Sequence, residues 1–190
     1  MTSKNNFMLR AIELSINSVN TTGGPFGCVI VKDNKIIAEG SNKVSSSNDP
    51  TAHAEVVAIR EACKKLNTFN LTGCDLYTSC EPCPMCLSAI YWSHIDNIFY
   101  ANTRDDAKKI NFDDSLIYSE ISKKNKDRKI PIKQMLRDEA LKAFDLWDKK
   151  IDKIKSKLLV EEYETVTYYE KDEYIVKLIK FPKKMMKMFN

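Results

Sequence analysis

Histidine is almost missing from this chain, with His53 and His94 the two present in 190 residues. A Ser-His-Asp triad would have to run through His94, which stands where a helix is expected to end and reads better as a charge at that C-terminus. Long apolar runs are missing too, since no stretch approaches the ~20 residues that a bilayer-spanning helix needs. The first segment is interrupted by Arg10 and Glu13 and lacks the apolar core of a signal peptide. No single sign of charge dominates: the net charge is +4, with 21 basic and 19 acidic residues in the first 150 and nine Lys against seven acids in the last forty. That balance argues against a chain-wide electrostatic platform for DNA or RNA. Internal repeats are absent, and Gly23-Gly24-Pro25-Phe26-Gly27 lacks the Lys-Ser/Thr of a phosphate loop and precedes a strand pattern, so it reads as a turn. The six cysteines include one tight Cys-x-x-Cys and do not form the dense framework of a stapled miniprotein. The expectation is a cytoplasmic chain in a reducing compartment, its cysteines thiols or metal ligands.

What is present is enough apolar sequence, 43% of residues, to bury one full core with a modest extension. Phe7, Ala11, Leu14 and Ser18 recur at helical spacing from Asn6 to Val19. Phe26 to Val31 reads as a buried strand, Asp33-Asn34 as a two-residue turn and Lys35 to Glu39 as the hairpin partner. Pro50-Thr51 is expected to open a helix to about Asn67, with Thr51 as its cap. Leu76 to Ser79 is a short strand, and Pro82 and Pro84 straddle the start of a helix reaching His94. Ile98 to Ala101 and Ile130 to Met135 read as further strands, and Arg137 to Leu158 as an amphipathic helix. Strands alternating with helices predict an α/β sandwich with a mixed sheet.

The residues that carry chemistry are His53-Ala54-Glu55 at one helix start and Pro82-Cys83-Pro84-Met85-Cys86 at another. Cys83 and Cys86 stand one helical turn apart, so both sulfurs can reach one ion, and His53 offers a third ligand. Three protein ligands leave a position open for water, whose pKa on zinc falls toward ~7 and which then attacks at neutral pH. Glu55 is placed to take that water's proton and pass it to a ring nitrogen and a departing amine. His-x-Glu with Pro-Cys-x-x-Cys is a recognised signature of zinc base deaminases. The alternatives are a structural zinc with Cys80 as fourth ligand, or unconnected thiols beside a capping His. Cys28, Cys63 and Cys74 read as small buried apolar groups.

On these residues the chain resembles the cytidine-deaminase superfamily, and within it the small bacterial-type guanine deaminases. The resemblance runs from about Phe7 to Trp147 through Gly23 to Gly27, Asn42, Asn48 to Glu55, Tyr77 to Cys86, Ala89 to Trp92 and Phe112 to Ser115. It implies a three-layer α-β-α sandwich with a five-stranded mixed sheet, one Zn2+ per subunit, and a homodimer that exchanges C-terminal segments. It also implies a small-molecule purine substrate rather than nucleic acid, with guanine hydrolysed to xanthine and ammonia. Phe26, Asn42, Ala54, Trp92 and Asp114 would meet that substrate: Phe26 by stacking, Asn42 as donor or acceptor to a base edge, Asp114 by accepting from ring N–H groups, Trp92 as pocket wall. Each has a structural alternative, Phe26 as core, Asn42 as a turn residue, Asp113-Asp114 as the cap of a helix near Ser115. Guanosine, a tRNA adenosine, or a silent zinc-stabilised scaffold are the competing functions.

The resemblance fades beyond Trp147. Residues 1–158 are expected to form the catalytic domain and residues 159–190 an extension. Within it, Tyr163 to Tyr169 and Tyr174 to Phe181 suggest a hairpin, with five Lys and no acid after Glu173 forming a basic tail.

Overall fold

The computed structural model describes residues 3–152, 166–170 and 173–177. The chain divides into two compact units, residues 1–156 and residues 157–190.

The first unit opens with α1 (Ser3–Val19), followed by β1 (Gly27–Lys32) and β2 (Lys35–Ser41). Asp33 and Asn34 both take positive φ, 49° and 60°, as a two-residue turn between antiparallel strands requires. A single turn, α2 (Val44–Ser47), leads to α3 (Ala54–Leu66), β3 (Cys74–Cys80), α4 (Pro84–Trp92) and β4 (Asn97–Asn102). The sheet order is β2-β1-β3-β4, antiparallel across the first three strands and parallel between β3 and β4, which α4 connects. The two central strands are buried on both faces, which accounts for the unbroken apolar run Cys28 to Val31.

Period-two alternation sorts that run into two layers. Cys28 and Ile30 join Ala54, Ala58, Ala62, Leu76 and Ile90 under α3 and α4. Val29 and Val31 join Tyr77 and Ala11, with Phe7, Leu14 and Phe99 packed alongside, under α1. The result is an α-β-α arrangement in which Ala54, Ala58 and Ala62, four residues apart and fully buried, let α3 lie close on the sheet.

Several expectations need correction. The sheet has four strands among the described residues of this unit, not five. Ile130 to Met135 forms no strand: Pro131 supplies no N–H to a ladder, and Ile130 and Met135 are 76% and 79% exposed. α3 begins at Ala54, not after Thr51, because the Asp49 carboxylate takes both the Thr51 N–H at 2.8 Å and its hydroxyl at 2.6 Å. The turn thus formed uses the hydroxyl that would have capped the helix. α4 stops at Trp92, with His94 buried at φ 59° in the turn that follows.

Beyond β4 come α5 (Arg104–Lys109), α6 (Ser115–Ile121), a 3-10 turn (Asn125–Asp127) and α7 (Arg137–Lys149). α5 carries a capping box, with Thr103 and Asp106 reciprocally bonded. α7 has no buried residue, and Lys150 after it is extended, so the helix is shorter than the span to Leu158; residues 153–158 lie outside the described residues.

In the second unit β5 (Val166–Glu170) pairs antiparallel with β6 (Glu173–Lys177), Tyr169 opposite Tyr174. The outer ends of the expected hairpin and the basic tail fall outside the described residues.

Candidate active site

Two helices deliver the site. His53 and Cys83 are the N-cap residues of α3 and α4, each extended, with carbonyls accepting the first helical bonds from Val57 and Leu87. Neither side chain caps its own helix, so both are free to turn toward a common point. Pro84 at the first position of α4 fixes the entry of that helix, and Cys86 sits within its first turn.

His53 Nδ1 lies 3.6 Å from Cys83 Sγ and 3.5 Å from Cys86 Sγ, and the three atoms fall within 4.8 Å of one another. A tetrahedral zinc with N and S ligands at ~2.0 and ~2.3 Å requires N···S edges of about 3.5 Å, so the donors fit that ion. Cys80 is not part of the group; its thiol points to the Thr103 carbonyl at 3.6 Å. Contact with Cys86 and His53 brings Cys83 down to about 4, and the same contact together with burial pushes Cys86 up. A divalent ion held by these residues would favour both as thiolates.

Glu55, in the first turn of α3, is buried beside this group, and its Oε1 accepts from the Thr78 hydroxyl at 3.0 Å. Burial raises its carboxyl above the ordinary value. His53, Cys83 and Glu55 open onto a cavity of about 550 Å³ that also takes in Phe26, Asn42 and Asp114. Phe26 packs on the core and meets Phe112 edge-on at the cavity wall, with centroids 4.9 Å apart. Asn42 likewise serves the turn and the cavity: its Oδ1 faces the N–H groups of Gly24 at 3.4 Å and Val44 at 3.3 Å, leaving the amide NH2 as its free edge. The two aspartates divide their work. Asp113 accepts from Ser115 N at 3.0 Å and pairs with Lys108, while Asp114 makes no side-chain cap and is half-buried at the cavity. Its carboxyl is raised by burial and by the nearby Cys83 charge.

Trp92 and the Ala54 methyl do not face the cavity. Trp92 does not line the cavity; it closes α4, nine residues from Cys83 and so roughly 13 Å along the axis, and is exposed. The Ala54 methyl is fully buried in the core, so only its main chain lies between His53 and Glu55. Sequence reasoning passed over Arg104, Phe112, Glu81 and Thr78. Thr103-Arg104-Asp105-Asp106 is a capping-box pattern that would have placed Arg104 at a helix start, and Phe112 stands inside the quoted Phe-Asp-Asp-Ser motif.

Residues 1–102 match the model of the cytidine and deoxycytidylate deaminase zinc-binding region. The chain belongs to that family. The matched region contains His53, Glu55, Cys83 and Cys86, and the chain is a zinc-dependent aminohydrolase. The chain is 56% identical over 142 residues to guanine deaminase from Bacillus subtilis, covering 74% of this chain and 91% of that protein. The tRNA-specific adenosine deaminase of Aquifex aeolicus is 48% identical over 77 residues, 40% of this chain and 51% of that one. Among solved structures, the Bacillus subtilis guanine deaminase superposes with a TM-score of 0.78 at 52% identity, covering 80% of this chain and 98% of that one. Guanine deaminase from Nitrosomonas europaea gives 0.54 at 34% identity over 57% and 63%.

Proposed function

We propose that this family member hydrolyses guanine to xanthine and ammonia, and that His53, Cys83 and Cys86 hold its zinc. The observation that carries the reading is a three-ligand group with zinc-like spacing, beside a buried carboxyl, opening onto a cavity that holds an aromatic ring, an amide donor and a carboxylate. Similarity to the Bacillus subtilis guanine deaminase over 91% of its length supports the choice of purine. When bound, zinc lowers the pKa of a coordinated water so that it serves as a nucleophile near neutral pH.

The chain's own residues do the rest. Phe26 stacks on the base, Asn42 donates its amide N–H to an acceptor on the ring edge, and Asp114 accepts from ring N–H groups; Ala54 contributes main chain only. Glu55 takes the water's proton and delivers it to the ring nitrogen next to C2, then to the departing amine. The new C–O bond replaces the C2–N bond, water supplies oxygen and protons, and ammonia leaves.

A homodimer with exchanged C-terminal segments is supported by α7, where Phe144, Leu146 and Trp147 are exposed and no residue is buried. A cytoplasmic setting agrees with six cysteines that are all free. The test is ammonia release from a panel of guanine, guanosine, adenine, adenosine, cytosine, cytidine and folded tRNA. Turnover of guanine is expected; turnover of guanosine without guanine, or of tRNA alone, would replace this reading with a nucleoside or an editing enzyme.

A further inference from the structure

Thr78 is a hydroxyl in a place that asks for a hydrocarbon. It sits in β3 opposite Cys28 of β1 and Tyr100 of β4, and it is 1% exposed. Valine would fill the same volume without a polar group to satisfy, so a buried threonine costs free energy unless its hydroxyl is bonded. The bond it makes is to the Oε1 of Glu55 at 3.0 Å, entirely within the protein. Strand alternation makes this contact specific. Ser79 faces the opposite layer, where its Oγ accepts from Gly27 N at 3.0 Å, and Cys80 returns to the site side but turns to the Thr103 carbonyl. Cys28, the cross-strand neighbour of Thr78, is fully buried, and its thiol is directed at the Val29 carbonyl.

We infer that Thr78 is a positioning residue for the reaction: it fixes one carboxyl oxygen of Glu55 from the sheet side, so that the other is held toward the ligand group and the cavity. A glutamate has three side-chain torsions, and a single anchored oxygen removes most of the freedom they leave. This rests on the reading of Glu55 as proton carrier. It adds a residue from a different element, β3, that touches neither substrate nor metal.

The test compares Thr78→Val, which keeps shape and removes the hydroxyl, with Thr78→Ser, which keeps the hydroxyl. Thr78→Val is expected to retain zinc at the wild-type ratio and KM within about twofold, while kcat falls on the order of 10- to 100-fold, the scale of a small misplacement of a reacting group. Thr78→Ser is expected to restore most of that kcat. Unchanged kcat in Thr78→Val overturns the inference, as does a loss shared between KM, zinc content and thermal stability, or a Thr78→Ser variant no better than valine. If Thr78→Val does not fold, Thr78→Ala against Thr78→Ser gives the same comparison. Should the panel identify a substrate other than guanine, the series is run on that substrate, so a wrong substrate and a wrong role for Thr78 are told apart.

Discussion

Gly40 joins fold to chemistry, and its replacement by alanine tests that link. A Cβ on Gly40 would lie 2.2 Å from the Ala54 carbonyl oxygen, 2.7 Å from Ala58 N and 3.1 Å from Ala58 Cβ, whereas ordinary contacts begin near 3.4 Å. Backbone atoms cannot swing aside as a flexible side chain would, so α3 has to retreat from β2 by about 1 Å. Overpacking of this kind costs about 1–3 kcal/mol, and in a chain of this size each kcal/mol lowers Tm by roughly 2–4 °C. The distinctive consequence is at the site, because α3 carries both His53 and Glu55 at its start. A shift of about 1 Å there is expected to weaken zinc retention and reduce turnover by about 100-fold. Gly27→Ala is the control. Its Cβ would meet the Ala11 carbonyl at 2.3 Å and Ser15 N at 2.6 Å, displacing α1, which brings no residue to the ligand group. Melting curves and zinc content of the two folded variants decide the matter: both should melt lower, and only Gly40→Ala should lose metal. Equal zinc loss in both, or a Gly40→Ala protein with native Tm and turnover, would refute the argument.

Glu55→Gln should keep about one zinc per chain and lose turnover by about 10²- to 10⁴-fold, the usual contribution of a general acid–base group, measured by metal analysis and ammonia release. Zinc supplied at 100 times its Kd should raise stability by about 2.7 kcal/mol over chelated protein in denaturant titrations. Asp113→Ala should lower Tm slightly through the start of α6 with little change in KM, and Asp114→Ala should raise KM about tenfold or more with little change in Tm, since the side chain that bonds the helix start is that of Asp113. Arg10 grips both oxygens of Glu39 at 2.8 Å and holds its carboxyl below the ordinary 4.5. A lowered folded pKa gives stability that is present above the unfolded value and is lost as pH falls through the folded one, so the acid limb below about pH 4.5 should flatten in Glu39→Gln. Both side chains are partly exposed, and the effect should not exceed about 1 kcal/mol in melts at pH 7 against pH 3.

The parts legible in the sequence were those with a local signal. The Asp33-Asn34 turn follows from the φ > 0 tolerance of its two residues, and the ligand group from the spacing of His53, Cys83 and Cys86 about two helix starts. Misreadings came where one local signal hid another. Thr51 has the chemistry of a cap, but Asp49 two residues earlier holds its hydroxyl. Ile130 to Met135 has the composition of a strand, yet Pro131 interrupts it, and whether a segment finds an edge to pair with is a tertiary matter. Thr78 was invisible because a threonine in a strand is unremarkable until the residue above it is known to be a buried carboxyl.

The first turns of α3 and α4 start from an imidazole and a thiol, neither of which makes a side-chain cap hydrogen bond. Elsewhere a serine or aspartate quenches the first-turn amides for about 1 kcal/mol per helix. An ion held by those two side chains would also govern the fraying of both helices, so metal occupancy and helix-end order should rise and fall as one equilibrium. Stripping zinc should therefore speed deuterium uptake at residues 54–57 and 85–87 while leaving the far ends of the same helices at their holo rates.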